Sequence, residues 1–167
     1  IIKCPKPIIA EVAGTATAAG CQLVASCDLA YASNSAKFAT PGVNIGLFCS
    51  TPMVAISRNL SNKHSMEMLL TGELISSDKA AKIGLINDVI EINELKDFVL
   101  DRAQKISKKS SVTLKIGKEA FYKQIDMKLS DAYDYASKVM VQNMLKLDAK
   151  EGIDAFIDKR EPNWKDK

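Results

Sequence analysis

The chain has 167 residues, 47% of them hydrophobic and 26% charged, and its 23 Lys and Arg against 20 Asp and Glu leave a net charge of +3. That balance excludes a disordered chain, a collagen-like repeat and a disulfide miniprotein, and no apolar run approaches the ~20 residues of a membrane-spanning helix. The basic residues are dispersed and the charge is small, so nucleic acid is not the expected partner.

In chain order, Pro5-Lys6-Pro7 precedes Ile8 to Val12, a short β-branched run that reads as a buried strand. Gly14 to Gly20 (GTATAAG) reads as a turn-like stretch of small residues, and Cys21 to Ser26 as a short buried helix. Asp28 to Ala32 and Lys37 to Ala39 read as two further strands. Pro41 to Ser50 (PGVNIGLFCS) holds too many breakers for a regular element and is expected to be an ordered loop. From Thr51 the period turns helical: Val54, Ile56 and Leu60, then Met66, Met68, Leu69 and Leu70 up to a stop at Gly72. Ser76-Ser77-Asp78 looks like a helix start and Gly84 like its C-cap. Leu85 to Ile90 alternates like a strand, and helices follow at about 94–107, 111–125, 129–146 and 149–159. Strands with short helices followed by helices alone predict an α/β layered core with a helical C-terminal part.

The four cysteines, Cys4, Cys21, Cys27 and Cys49, form no C-x-x-C pair, and the single His64 cannot build a zinc site, so no metal is expected. Reduced thiols in an intracellular compartment fit that pattern. The first residue is Ile1 rather than Met, so we expect a fragment, a processed product or a trimmed chain, in which a missing targeting segment carries no information.

Gly14 to Gln22 is the most informative stretch. Small residues between a strand and a helix let a ligand approach the backbone, and the first N–H groups of a helix have no internal partners. Such a terminus favours negative charge, a developing oxyanion included. Tight strand–helix packing selects the same small residues, and spacing alone leaves that reading ahead. Cys21 and Cys49 read as buried small hydrophobes, and His64 as a surface or capping group. The Lys-rich 105–118 region reads as a solvated face of two helices. Phe121, Tyr122, Tyr133 and Tyr135 are expected to line a helix interface. GVNIG and GLFCS lack the Lys and the Gly spacing of a phosphate-binding loop.

KPIIAEVAGTATAAGCQLVASCDLAYAS carries the order K-P-hydrophobic-I-A-x-V-x-G, a small-residue run, G-C, then C-D-hydrophobic. It continues through Lys37-Phe38-Ala39-Thr40-Pro41, Met66-Glu67-Met68-Leu69-Leu70-Thr71-Gly72, Ile75-Ser76-Ser77 and Ala80-Ala81-Lys82-Ile83-Gly84-Leu85-Ile86. It closes with Glu151-Gly152-Ile153-Asp154-Ala155-Phe156 and Lys159-Arg160. This pattern, spread over nearly the whole chain, resembles the crotonase (enoyl-CoA hydratase/isomerase) superfamily. ATAAGCQLVASCD and FATPGVNIGLFCSTP are similar to a mitochondrial branch of it, so a mitochondrial location is suspected.

The resemblance implies an α/β fold of stacked ββα turns with a C-terminal helical region. Residues 1–92 would be the C-terminal part of the ββα core and 93–167 a helical region for oligomerisation and CoA contact, with the N-terminal part of the fold upstream of Ile1. It implies trimers, often paired into hexamers, and an acyl-CoA thioester as ligand, with coenzyme A part of the substrate and no separate cofactor. Two backbone N–H groups in the family polarise the thioester carbonyl and stabilise an enolate. The second maps onto Ala19, and the first comes from upstream of Ile1. Pro41, Ile45, Ser50, Phe156 and Lys159 take substrate-binding positions. For Phe156 and Lys159, helix packing and a surface lysine fit the residue types equally well.

The departures from the family pattern concern its two glutamates, which hold and move the protons of the attacking water. Their places are taken by Gln22 and Gly42, and the family keeps an aspartate at Asp28 alongside both glutamates, so Asp28 is no replacement. Positioned acid–base groups each contribute about 10²–10⁴-fold, so both losses together remove most hydration. Ser50 stands where the family often has glycine beside the thioester, either donating to it or satisfied locally. Three activities stay open: hydration or isomerisation of a 2-enoyl-CoA, a non-catalytic acyl-CoA-binding pseudoenzyme or oligomer partner, and decarboxylation of a malonyl-type thioester. Acyl-CoA recognition with weak or absent hydration is expected, and restoring Gln22→Glu with Gly42→Glu is expected to create hydratase activity if the rest of the site is intact.

Overall fold

The computed structural model describes residues 1–167, which divide into two compact units: Ile8–Ala103 together with Ile1, and Gln104–Lys167 together with Ile2–Pro7.

In the first unit the chain runs through repeated strand–strand–helix turns. Strand β1 (Ile9–Val12) is followed by β2 (Thr15–Thr17) and helix α1 (Ala19–Ser26); β3 (Leu29–Ser33) and β4 (Lys37–Ala39) begin the next turn. That turn continues through a 3-10 helix at Pro41–Ile45, α2 (Ser50–Ile56) and α3 (Asn62–Thr71). The unit then adds β5 (Ile75–Ser76), α4 (Ser77–Ile83), β6 (Asp88–Ile90) and the greater part of α5 (Ile92–Ser107). Successive turns stack strand on strand. β1 pairs parallel with β3 from Ile9↔Leu29 to Val12↔Ala32, and β3 with β6 at Ala32↔Val89. In the second sheet β2 pairs parallel with β4, Ala16 opposite Phe38, and β4 antiparallel with β5. This is the α/β stack of ββα turns that the sequence implied.

Small residues make the stack possible. Ala30, Ala32, Ala36 and Ala80 are buried with Cys21, Val24 and Ala25 of α1, and Phe38, Ile56 and Met68 fill the larger gaps between the sheets and the helices. A second apolar cluster sets Tyr31 and Val99 around Leu95, with Phe98 edge-on to Tyr31 at 5.1 Å between ring centres. Side chains bind the ends of the elements together. Asp28 accepts the Ile8 N–H at 2.7 Å, Asn87 accepts the Ala30 N–H at 2.7 Å, and the buried Thr40 hydroxyl donates to the Met68 carbonyl at 2.8 Å.

The helix starts and stops largely follow the sequence reading. Ser76, at the expected start, accepts the Lys79 N–H; Ser61, which the sequence reading did not single out, accepts the His64 N–H, which makes His64 a member of a capped first turn, and its ring lies 3.7 Å from Glu67. Gly72 and Gly84 end α3 and α4 at φ 63° and 88°, the left-handed geometry that glycine adopts without strain. Three expectations need correction. Thr15–Thr17 is a strand rather than a turn, because β4 lies in register to pair with it. Pro41–Ile45 is a regular 3-10 helix rather than a loop: Pro41 stands at its start, where its missing N–H costs nothing, and Gly46 closes it at φ 75°. Leu85 and Ile86 precede the last strand and are buried in the core, which narrows β6 to Asp88–Ile90.

The second unit contains the end of α5, α6 (Ser111–Gln124), α7 (Leu129–Met144), α8 (Leu147–Ile157) and a C-terminal tail. Ser110 caps α6 by accepting the Thr113 N–H at 3.2 Å. The Lys118 ammonium donates to the Lys6 carbonyl at 3.0 Å. Phe121 meets Tyr122 edge-on at 5.3 Å, and Lys123 lies 4.8 Å from the centre of the Tyr135 ring. Tyr133 does not line that interface, and neither does Phe121 bury itself there: Tyr133 is 69% exposed on the opposite side of α7 from Tyr135, and Phe121 is more than half exposed. Leu129, Tyr133, Met140 and Met144 are all exposed and lie along one side of α7. No helix is long and apolar enough to cross a membrane.

Candidate functional site

The start of α1 is bonded to the end of β4. Ala18, immediately before the helix, has φ 48° and ψ −114°, a backbone region that an alanine side chain disfavours. It is held there from both sides: its N–H donates to the Ala39 carbonyl at the end of β4 at 3.0 Å, and its own carbonyl accepts the Gln22 N–H at 3.0 Å. The first bond ties α1 to the strand that leads directly into Thr40, Pro41 and Gly42. Strained residues persist where the surrounding structure over-determines them, and such places cluster at functional sites. Here the consequence is local: Ala19 opens the helix as an exposed residue whose N–H has no helical partner. Relieving the strain should show. Ala18→Gly is expected to raise stability by about 1 kcal/mol, the relief of the disfavoured region less the entropy of a glycine. Thermal unfolding of the variant reads it, and an unchanged or lower midpoint would mean that Ala18 is not strained.

Gln22 lies one turn into α1, on the same face as Ala19 and half-buried. Between them, Cys21 faces the core with no exposed surface. Burial, reinforced by the neighbouring Cys49, pushes its thiol up to about 12. It stays protonated at neutral pH and is no nucleophile, in keeping with a cysteine used as a small hydrophobe.

The Pro41–Ile45 segment bends tightly back over Gly42. A Cβ added at Gly42 would lie 2.6 Å from the Leu47 carbonyl oxygen and 2.9 Å from the Cys49 sulfur. The Leu47 N–H meanwhile donates to the Gly42 carbonyl at 2.9 Å. The loop is therefore closed around a residue with no side chain. This overturns one premise of the sequence reading, that a glutamate could be put back at this position with the rest of the site intact, because the obstacle is backbone and cannot turn aside.

Ser50 begins α2, which packs against α1. Its hydroxyl donates to the Phe48 carbonyl at 3.3 Å and its N–H to the same oxygen at 2.7 Å, so its hydrogen bonding is local. Pro41 is half-buried at the start of the 3-10 helix, whereas Ile45 at its end is 76% exposed, beside exposed Leu47 and Phe48. Ala19 and Gln22 thus stand on α1, Pro41 and Gly42 follow the end of β4 that is bonded to Ala18, Ser50 begins α2, which packs against α1, and Ile45 is exposed.

Phe156 and Lys159 belong to the second unit. Phe156 is in the last turn of α8 and 84% exposed; Lys159 follows the helix at φ 53°. Two features of the sites escaped sequence reading: the strained Ala18, hidden in a run of alanines, and the Leu47 carbonyl over Gly42, which no residue type announces.

The whole chain, residues 1–167, matches the family model described as enoyl-CoA hydratase/isomerase. It is 52% identical over 160 residues to the mitochondrial enoyl-CoA hydratase domain-containing protein 3 of Rattus norvegicus, covering 96% of this chain and 53% of that protein. The chain spans about half the length of such curated relatives. Among solved structures, the human enoyl coenzyme A hydratase domain-containing protein 3 superposes with a TM-score of 0.96 at 50% identity, over 98% of this chain and 65% of that one. An enoyl-CoA hydratase from Mycobacterium smegmatis also gives 0.96, at 48% identity, over 98% of this chain and 64% of that one. A stack of ββα turns that matches those structures, joined to a sequence that matches the family model from end to end, leaves one assignment: the chain belongs to the enoyl-CoA hydratase/isomerase family.

Proposed function

We propose that this chain forms the C-terminal part of a mitochondrial protein that binds acyl-CoA thioesters through a backbone oxyanion hole and has lost hydration of enoyl-CoA. What supports lost hydration above all is Gly42, whose missing side chain is matched by a loop closed over it, with the Leu47 oxygen 2.6 Å from where a Cβ would stand. One proton-handling glutamate is replaced by an amide, and the space for the other is filled. The Ala19 N–H, aimed by the strained Ala18 and by the bond to Ala39, is the donor to the thioester carbonyl. A second donor comes from the segment that precedes Ile1. A donor so placed stabilises the negative charge of an enolate without itself moving a proton. Exposed Ile45, Leu47 and Phe48 offer an apolar rim that an acyl chain would cover. Phe156 and Lys159 contact the CoA moiety, with a base stacking on the ring and a phosphate meeting the ammonium. The exposed side of α7 is the surface that self-association into a trimer or hexamer would cover.

Crotonyl-CoA tests this reading on the complete protein. Binding by calorimetry without hydration above the buffer rate is expected, and native mass spectrometry of the same sample is expected to read three or six copies. Turnover at saturating crotonyl-CoA would show that another group moves the protons and would end the proposal.

A further inference from the structure

Helix α8 ends in a chain reversal built on a lysine. The Arg160 N–H donates to the Ala155 carbonyl at 3.0 Å and the Lys159 N–H to the Phe156 carbonyl at 3.4 Å, the bonding pattern of a helix closed by a left-handed residue. That residue is Lys159, at φ 53°. Glycine is the usual occupant of such a position, and a residue with a side chain there costs about 1 kcal/mol more. Backbone geometry by itself gives no reason for a lysine.

The conformation is imposed from outside the turn. Glu151, more than two helical turns earlier, takes both arms of the Arg160 guanidinium, Nη1 to Oε1 at 2.7 Å and Nη2 to Oε2 at 3.1 Å. It also accepts the Asn163 N–H at 2.7 Å. Arg160 reaches Asp158 at 3.5 Å and the Glu161 carbonyl at 3.3 Å. Further along, the Trp164 ring lies over Gly152, where a Cβ would come within 3.2 Å of it, and its indole N–H donates to the Lys108 carbonyl at 2.7 Å. Residues 160–164 are therefore pinned back along α8, and Lys159 is the hinge of the reversal. The guanidinium, with the Asn163 N–H, lowers the Glu151 carboxyl to about 2, so the fork stays charged at any physiological pH. Phe156, 84% exposed, and Lys159 are left three residues apart at one end of the helix, with the backbone of the turn fixed between them.

Resting on the CoA reading of this surface, we propose that Glu151, acting through Arg160, is a positioning residue: it holds Lys159 and Phe156 as one preformed platform for the nucleotide end of the thioester. A bidentate guanidinium–carboxylate pair supplies fixed geometry as well as attraction. A platform set before binding spares the ordering of a turn and a long side chain when the ligand arrives.

The test compares two ligands on the complete protein, acetyl-CoA and acetyl-pantetheine, which lacks the nucleotide. Glu151→Gln keeps an acceptor for the Asn163 N–H but loses the charged fork, and is expected to weaken acetyl-CoA about tenfold while leaving acetyl-pantetheine unchanged. Arg160→Lys, which keeps the charge and loses the two-armed geometry, is expected to behave the same way. Lys159→Gly is expected to raise the melting temperature while weakening acetyl-CoA, since glycine suits the turn and lacks the ammonium. If Glu151→Gln weakens both ligands equally, its role is structural only and the positioning proposal is overturned. If Lys159→Gly weakens acetyl-CoA but Glu151→Gln does not, positioning alone fails and the CoA reading stands. Equal affinity of the unmodified protein for both thioesters would overturn the CoA reading of this surface and the proposal with it.

Discussion

Replacing Gly42 by alanine is expected to cost the first unit about 3 kcal/mol, the upper end of what one added carbon costs in a packed site. The added Cβ would meet the Leu47 carbonyl oxygen at 2.6 Å and the Cys49 sulfur at 2.9 Å, distances that side-chain carbons do not adopt. The carbonyl belongs to a loop that closes back on Gly42 through the Leu47 N–H, so it cannot give way without opening the 3-10 helix. Glutamate extends the same collision. The double variant Gln22→Glu/Gly42→Glu is therefore expected to lose stability and to gain no hydratase activity, the reverse of what the sequence pattern led one to expect. Gln22→Glu alone is expected to fold normally, because its side chain is half-buried on the first turn of α1, where a carboxylate is favoured. Urea unfolding of the three variants separates the cases. An unchanged midpoint for Gly42→Ala would show that the loop yields easily, and the steric part of the lost-hydratase reading would then fall.

Asp148→Ala is expected to destabilise the second unit by about 3 kcal/mol, because removing a buried carboxylate leaves several donors without an acceptor. Asp148 is 1% exposed, near the start of α8. It accepts the Lys165 N–H at 2.7 Å and the Asp166 N–H at 3.1 and 3.2 Å, together with the Ser110 hydroxyl. Asp166 in turn accepts from the Ser111 N–H at 2.9 Å and hydroxyl at 2.7 Å, so the two carboxylates together hold the C-terminal tail against the start of α6. Burial by itself pushes the Asp148 carboxyl up; the Ser110 hydroxyl and the two backbone N–H groups outweigh it and leave it below the usual aspartate range. A group whose folded value is lowered adds stability above its unfolded value and loses that contribution as pH falls through the folded value. Glu151, lowered from 4.5 to about 2 chiefly by Arg160, acts in the same direction. Unfolding of the second unit is therefore expected to become easier as pH falls from about 4.5 towards 2, and Asp148→Ala to flatten that dependence. A slope that persists unchanged in the variant would place the titrating groups elsewhere.

Much of the fold was legible because its signals are local. A β-branched run after prolines, serines before helices and glycines after them each act within a few residues, and β1, α3 and α4 formed where those signals stood. The strand at Thr15–Thr17 was not legible: three small or polar residues have no strand signal of their own, and their partner Lys37–Ala39 lies in the next turn of the stack. The candidate site divides in the same way. Ala19, Gln22 and Gly42 could be picked out because each is a residue type in a matched motif. Ser50 could be placed but not interpreted, since its local bond to Phe48 depends on how the loop folds. Nothing in the alanine run marked Ala18, whose conformation is imposed by a bond to Ala39 on another strand.

The amino-acid sequence by itself determined the family and the stack of ββα turns, because motifs and residue types are properties of the chain read in order. Only the tertiary structure decided whether position 42 has room for a side chain and what closes the turn at Lys159. Those answers depend on the space around the Gly42 Cβ direction and on a charge pair closing a turn from nine residues away, and both exist only once distant atoms have been packed together.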